Sequence, residues 1–444
     1  MAPRAAPVST TGGGRQQGWT HRPSCGTLAS RFSRVGRRHP LNLLIRNARV
    51  LTLASGARPR RGKELHDLAV LPQGDVLVAE GAIAALGPRV EAPEGAEVID
   101  ANGRVLMPGF VDCHTHACWA GNRLDEWEER LHGVPNAEIV KKGGGIHATV
   151  LAVREATKKQ LAAGLRERLN RMLREGTTTV EVKCGYGLAT EAELKMLRAI
   201  VRAGQDWPGT VVPTALLGQA FEDHLDDFVR MVVKEMLPEV SREFPDIAVD
   251  ACVEEGAWSR EACVRLFEKA SKRHPLRVQT DQFSSLGMVP EAIRLHARSV
   301  DHLEASTKAD LVALAASQTI GVILPCAGFH SDGRFARAGF FVDQGGAVAL
   351  ATDCNPGSAP AHSMPFAIAL AVRRCGLTPQ EAIAACTVNA AAVLGLPDRG
   401  TVEVGKRADL ILLDHSDERM LAYEVGGNPV ALVICGGKVI KDSR

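Results

Sequence analysis

The stretch Met107-Pro-Gly-Phe-Val-Asp-Cys-His-Thr-His116 decides how this chain is read. An apolar run from Val105 to Val111 leads into two histidines separated by one residue. On a β-strand, residues i and i+2 point to the same face. His114 and His116 therefore project side by side from a strand end. Two imidazoles so placed can share one divalent metal, neutral imidazole being the commonest metal ligand. The pair alone is a weak signal, because such pairs also arise by chance on solvated strands. Its flanks strengthen it. Asp112 lies beside it, and a late Thr352-Asp-Cys-Asn-Pro-Gly357 supplies a carboxylate, Asp353, after a second apolar run.

Around that stretch the texture of the chain changes twice. From Leu41 to about Pro108 the pattern is that of short strands. Glu80-Gly81 and Asn102-Gly103 read as hairpin turns. From Gly109 to about Leu394, helical patterns alternate with short apolar strands. These strands are Thr177–Lys183, Val211–Leu217, Ile247–Val253, Leu276–Gln279, Ser299–His302, Ile320–Pro325 and Ala347–Asp353. Thr190 and Glu193 read as a capping box opening one of the helices. Counted from Phe110, eight strand–helix units follow one another, which predicts an α/β fold with a parallel (β/α)8 barrel of the TIM type. From about Gly400 the pattern is again β. The two chain ends are expected to form one small composite β-sandwich domain. The expected division is a disordered tail at 1–40, β-domain at 41–108, barrel at 109–395 and β-domain again at 396–444.

Composition limits the function. The 444 residues fit a barrel plus a smaller domain. A net charge of +2 gives no electrostatic case for nucleic acid. No apolar run reaches the roughly 18–20 residues that span a bilayer. The 11 cysteines are scattered without a Cys-x-x-Cys pair and read as reduced thiols of a cytoplasmic protein. A small-molecule substrate is the expected partner, and a homodimer is one assembly the chain could form. The first 40 residues hold seven arginines and no acid; the first acidic residue is Glu64. A transit segment would share that composition, but the prolines and glycines spoil an amphipathic helix, and a disordered tail is the simpler reading.

In such barrels the reactive residues lie at the C-terminal strand ends. Here those positions hold His114, His116, Asp353, His302, Lys183, Tyr186, Gln219, Gln279 and Gln282. Two histidines and one aspartate around a metal leave positions open for water. Asp353 could ligate and take a proton from water, and His302 could polarise or protonate the group attacked. Lys183 reads more simply as a salt-bridged lysine than as a carboxylated lysine bridging two metals. His147, His224, His330 and His362 read as loop histidines, and Glu254-Glu255 as a solvated face.

These residues together resemble the imidazolonepropionases of the amidohydrolase superfamily, from about residue 41 to the C-terminus. The likeness is carried by Gly109-Phe-Val-Asp-Cys-His-Thr-His116, Trp119-Ala-Gly-Asn-Arg123, Gly143-Gly-Gly-Ile146, Glu181-Val-Lys-Cys-Gly-Tyr-Gly-Leu188 and Thr352-Asp-Cys-Asn-Pro-Gly-Ser358. The resemblance implies hydrolysis of the ring C–N bond of 4-imidazolone-5-propanoate to N-formimidoyl-L-glutamate in histidine degradation. It implies one divalent or trivalent metal ion, zinc or iron, on His114, His116 and Asp353. It implies substrate contacts at Arg123, Tyr186, Gln282, Asn355, Gly357 and Ser358, and a catalytic role for His302. Two positions depart from the family pattern. Gln279 stands where a metal-binding histidine is expected, and Gln219 where a ring-contacting histidine is expected. An amide oxygen is a poorer donor to zinc or iron than imidazole. A related cyclic-amide hydrolase with another ring, or a ligand-binding member without turnover, is the alternative those changes leave open.

The tail generates the first test. Deleting residues 1–40 should leave Tm and activity unchanged, because the segment lacks the apolar content to join a core. A drop in Tm on thermal unfolding of the truncated chain would show that it packs on the body.

Overall fold

The computed structural model describes residues 42–443, so the arginine-rich tail lies outside the described residues. Sixteen strands are present among them. The first five are β1 (Asn42–Leu51), β2 (Val70–Ala79), β3 (Ala82–Gly87), β4 (Glu97–Asp100) and β5 (Val105–Pro108). Eight barrel strands follow: β6 (Phe110–Asp112), β7 (Thr177–Lys183), β8 (Thr210–Gly218), β9 (Ala248–Val253), β10 (Leu276–Thr280), β11 (Ser299–His302), β12 (Ile320–Ile323) and β13 (Val348–Leu350). The last three are β14 (Leu410–Leu413), β15 (Val430–Cys435) and β16 (Lys438–Asp442).

β6 to β13 pair in strict sequence order, every pair parallel. This is the expected barrel, with each strand-to-strand crossover carrying helix. The first crossover is the longest. It holds the short helices Leu124–Leu131, Asn136–Lys141 and Ile146–Glu155 before the covering helix Lys158–Arg174, which Thr157 and Gln160 open as a capping box. The sequence pattern shows that covering helix, but not the three before it.

The barrel closes by a different device from its other pairings. β13 and β6 do not continue the ladder. Instead the Asp112 carboxylate accepts from the Thr352 backbone N–H at 3.1 Å and from its hydroxyl at 2.5 Å. Just beyond, Asp353 N–H donates to His114 O at 3.1 Å and His116 N–H to Cys354 O at 3.0 Å. The seam thus ties the two segments that carry the expected metal ligands directly to one another.

The two chain ends meet in one eight-stranded sheet, ordered β16-β15-β14-β5-β1-β2-β3 with β4 also on β1. Its core draws on both ends, with Leu43, Ile45, Val76 and Ile99 packed with Leu410, Leu412, Leu432 and Ile434. The β2–β3 turn meets the β15–β16 turn, since a Cβ on Gly81 would lie 3.1 Å from Gly436 O. The layers facing that core are therefore parts of a single sheet.

Several local expectations are corrected. Glu80-Gly81 makes the expected hairpin, both residues at positive φ. Asn102-Gly103 also has positive φ but makes no hairpin: β4 and β5 both run parallel to β1. β1 bulges at Asn47, and its O accepts from Gly103 N–H at 2.7 Å, so the turn is a sidestep along the β1 edge. The helical run from Leu225 to Glu243 contains a π-turn at Val232–Met236, just before Pro238, a residue that has no N–H to give. Thr190 is not a cap. Its hydroxyl donates to Glu235, and Glu193 turns away from the helix to accept from Gly185, Gly187 and Leu188 N–H at 2.7–2.8 Å.

Asp112→Ala tests the seam. It removes two hydrogen bonds to a carboxylate and strands the Thr352 N–H in the interior, a loss on the order of 3 kcal/mol. Urea unfolding should report it; a change within about 0.5 kcal/mol, typical of a neutral surface site, would show that the barrel closes without Asp112.

Candidate metal and substrate site

The site grows from the seam. Beyond β6 the chain carries His114 and His116, and beyond β13 it carries Asp353, all buried. Asp353 Oδ1 lies 3.6 Å from His114 Nε2 and 3.7 Å from His116 Nε2. The ligand atoms of all three fall within 4.8 Å of one another, and no other such group of His, Cys, Asp and Glu occurs among the described residues. His114 Nε2 is buried with no hydrogen-bond partner. Its other nitrogen, Nδ1, meets Asp301 Oδ2 at 2.6 Å, which fixes the proton on Nδ1 and turns the Nε2 lone pair toward Asp353. Two ligands about 2.1 Å from one zinc ion at tetrahedral angles stand roughly 3.4 Å apart, close to the spacing found here. The donor set fits a single metal ion.

Burial sets the protonation. Burial first, then Lys183, pushes both imidazoles down, His114 far below the usual histidine range and His116 to about 3, so both present lone pairs. Burial raises the Asp353 carboxyl to about 7 against the pull of His302. His302 goes the other way. Burial would lower it, but the Glu304 carboxylate, 3.4 Å from Nδ1, outweighs that and lifts it to about 9. Its ring stands edge-on to His114 with centroids 5.9 Å apart. His302 and Asp353 also have positive φ, 90° and 58°, a strain of the kind concentrated at reactive positions.

Beneath these groups the barrel is filled with charge where such barrels usually carry branched apolar side chains. Lys183 Nζ lies 2.8 Å from both Glu181 and Asp250. Arg277 reaches Glu181 at 3.1 Å and Asp301 at 2.6 Å. All five are fully buried. Lys183 is thus an ammonium held by two carboxylates, which agrees with the salt-bridge reading. The sequence reading passed over Asp250, Arg277 and Asp301. The signal was there in the alternation Glu181-x-Lys183 and Arg277-x-Gln279, which puts charge on one face of strands whose neighbours are apolar.

Gln279 is buried on β10 beside His116. Its Nε2 donates to Asp250 Oδ2 at 3.1 Å. Gln219 follows β8 and has a buried Oε1 with no partner. Tyr186 is buried with its ring centroid 5.9 Å from that of His116, on the loop that Glu193 fastens. Arg123 caps the helix Leu124–Leu131, and the Glu126 carboxylate takes its Nε at 2.7 Å and its Nη2. Glu126 also holds Arg130 and the Gly145 N–H. Nη1 of Arg123 lies against Gly357, where a Cβ would come within 2.6 Å. Arg123 and Gly357 line a cleft of about 310 Å³ with Trp119, Trp127, Arg130 and His330. Asn355 is spent on its own loop: its amide binds Asp353 O and Ser358 Oγ and accepts from Gly357 and Ser358 N–H. Ser358 Oγ lies 3.5 Å from Asp353 Oδ2.

Gln282 is half-buried after β10, its N–H held by Glu254. Glu254 is not solvated as expected. It is buried and binds the backbone N–H of Gln282, Phe283 and Ser284. Two of the histidines expected in loops lie in helices instead, His147 in Ile146–Glu155 and His330 at the end of Pro325–His330, where it borders the cleft; His362 pairs with Glu175 at 3.4 Å.

Comparison with known proteins agrees with this geometry. Residues 226–440 and residues 97–137 match two profiles of the amidohydrolase family. Atrazine chlorohydrolase from Arthrobacter aurescens TC1, complexed with zinc, superimposes with a TM-score of 0.67 at 18% identity, over 90% of this chain and 95% of that one. The imidazolonepropionase of Deinococcus radiodurans is 44% identical over 85% of this chain and 95% of its own length. That of Herpetosiphon aurantiacus is 43% identical over 87% and 94%. The fold is that of an amidohydrolase. Within that class, the chain belongs to the imidazolonepropionase family.

Asp301→Asn should weaken zinc binding about tenfold or more, because His114 loses the carboxylate that fixes its tautomer. Competition with a chelator measures this. Unchanged affinity would show that His114 is oriented without Asp301.

Proposed function

We propose that this chain hydrolyses the ring C–N bond of 4-imidazolone-5-propanoate to N-formimidoyl-L-glutamate, a step of L-histidine degradation, using one zinc or iron ion. The observation that carries the reading is the buried group of His114, His116 and Asp353 with Arg123 and Tyr186 beside it, in a chain 44% identical to a protein named imidazolonepropionase. His114, His116 and Asp353 would hold the metal, with Gln279 as a further donor. When bound, the ion supplies Lewis-acid activation of water and of the ring carbonyl.

The chain's own groups do the rest. Arg123 binds the propanoate through its Nη1 side, the Nε side being taken by Glu126. Tyr186 packs its ring on the substrate, and the Gln219 carbonyl accepts from a ring N–H. Gly357 lets backbone approach the ligand, and Ser358 and Gln282 line the pocket. Asn355 shapes the loop between them. Asp353 takes the proton of the attacking water as its oxygen bonds to the ring carbonyl carbon. His302, protonated at neutral pH, gives its proton to the ring nitrogen as the C–N bond breaks.

Residues 109–395 are the proposed catalytic unit, with 41–108 and 396–444 as its β-domain. Ten free cysteines among the described residues support a reducing, cytoplasmic setting. No helix among the described residues is long and apolar enough to cross a membrane. Gln219 and Gln279 favour one second reading, a related ring in place of imidazolone.

Turnover of freshly made imidazolonepropanoate by metal-reconstituted protein tests the proposal. Arg123→Lys should raise KM about tenfold or more, since one charge-assisted bidentate pair contributes on the order of 1.5–3 kcal/mol. No turnover of this substrate, with turnover of another cyclic amide, would establish the second reading.

A further inference from the structure

Gln279 can serve a metal only if its oxygen, not its nitrogen, faces the site. A free glutamine amide has no such preference, since its two ends are nearly equal in size. Here the direction is imposed from behind. An ionised carboxylate accepts and cannot donate, so Asp250 Oδ2, 3.1 Å from the amide, must face Nε2. Asp250 is itself fixed. Its Oδ1 accepts from Ala251 N–H at 2.8 Å, and its Oδ2 lies 2.8 Å from Lys183 Nζ. Lys183 is braced in turn by Glu181. Register completes the arrangement: Gln279 pairs with Cys252 on β9, two residues beyond Asp250. The amide oxygen is left on the side away from Asp250, with His116 near enough to Gln279 to feel its amide.

We infer that Asp250, held by Lys183, is a positioning residue that fixes the Gln279 amide with its oxygen toward the metal ligands. The inference rests on the reading of Gln279 as a metal donor. Asp250 touches neither the metal nor the substrate in this role. It acts through Gln279, and its effect must disappear when Gln279 is removed.

A double-mutant cycle on the full chain tests this, with zinc affinity read by chelator competition. Gln279→Met, similar in size and without an amide, should weaken zinc binding about tenfold or more. Asp250→Asn offers the amide both a donor and an acceptor, so Gln279 can turn over. It should weaken zinc binding about tenfold in the natural chain, the lower end for an outer-shell partner, and less than about twofold in the Gln279→Met background. Asp250→Asn alone strands Lys183 beside Glu181. Should it fail to fold, Lys183→Met with Asp250→Asn removes the pair and serves the same comparison. Equal losses in both backgrounds would overturn the inference, because Asp250 would then act on the centre by another route. No loss on Asp250→Asn, with a loss on Gln279→Met, would overturn it while leaving the donor reading intact. No loss on Gln279→Met would instead sink the donor reading itself.

Discussion

Asp112 holds the first and last barrel strands together, and the site depends on that closure. The barrel's other neighbouring strands pair through parallel ladders. At this junction a single carboxylate binds both the backbone and the hydroxyl of Thr352. The backbone bonds that follow join His114 to Asp353 and His116 to Cys354. The proposed metal ligands from opposite ends of the barrel sequence are thus placed by the same contact that closes it. Burial raises the Asp112 carboxyl to about 7 although its bonds with Thr352 pull the other way. The closure is held against a desolvation cost.

The interior below the ligands follows from charge balance. Burying a charge without a partner costs several kcal/mol, so each must be paired or hydrogen-bonded. Glu181, Asp250 and Asp301 meet Lys183 and Arg277 through short contacts. With Asp353 ionised, four carboxylates face two cations. The same network that orients His114 through Asp301 thus leaves the centre with an excess of negative charge, which makes it receptive to a cation. His302 and Glu304 form a pair of their own and leave that balance unchanged.

The sequence revealed this architecture unevenly. Apolar strands ending in reactive residues are a one-dimensional pattern, so His114, His116, His302 and Asp353 stand out, and the barrel with them. Thr177–Lys183 and Ser299–His302 are strands over those same residues. What stayed hidden depends on partners distant along the chain. Asn102-Gly103 has hairpin chemistry, but the edge of β1 keeps both flanking strands parallel to itself. Thr190 and Glu193 have capping-box spacing, but a neighbouring loop with three unpaired N–H groups takes the glutamate. Glu254 looked solvated for the same reason. Glu126 is invisible as a partner of Arg123 until the helix Leu124–Leu131 places both on one face.

The glutamate at 193 has one more implication. It grips the 185–188 segment entirely by main chain, through the amides on either side of Tyr186 and never through its side chain. Gly187 cannot be enlarged, since a Cβ there would lie 2.6 Å from Glu193 N. The hydrogen bonds that hold the loop therefore make demands of the neighbours of position 186, while the side chain at 186 is constrained only by its buried packing beside His116. A side chain of another shape at that position, brought by evolution or by an engineer's hand, would have to fill the same buried space, but the main-chain bonds that fasten the loop would not have to be remade.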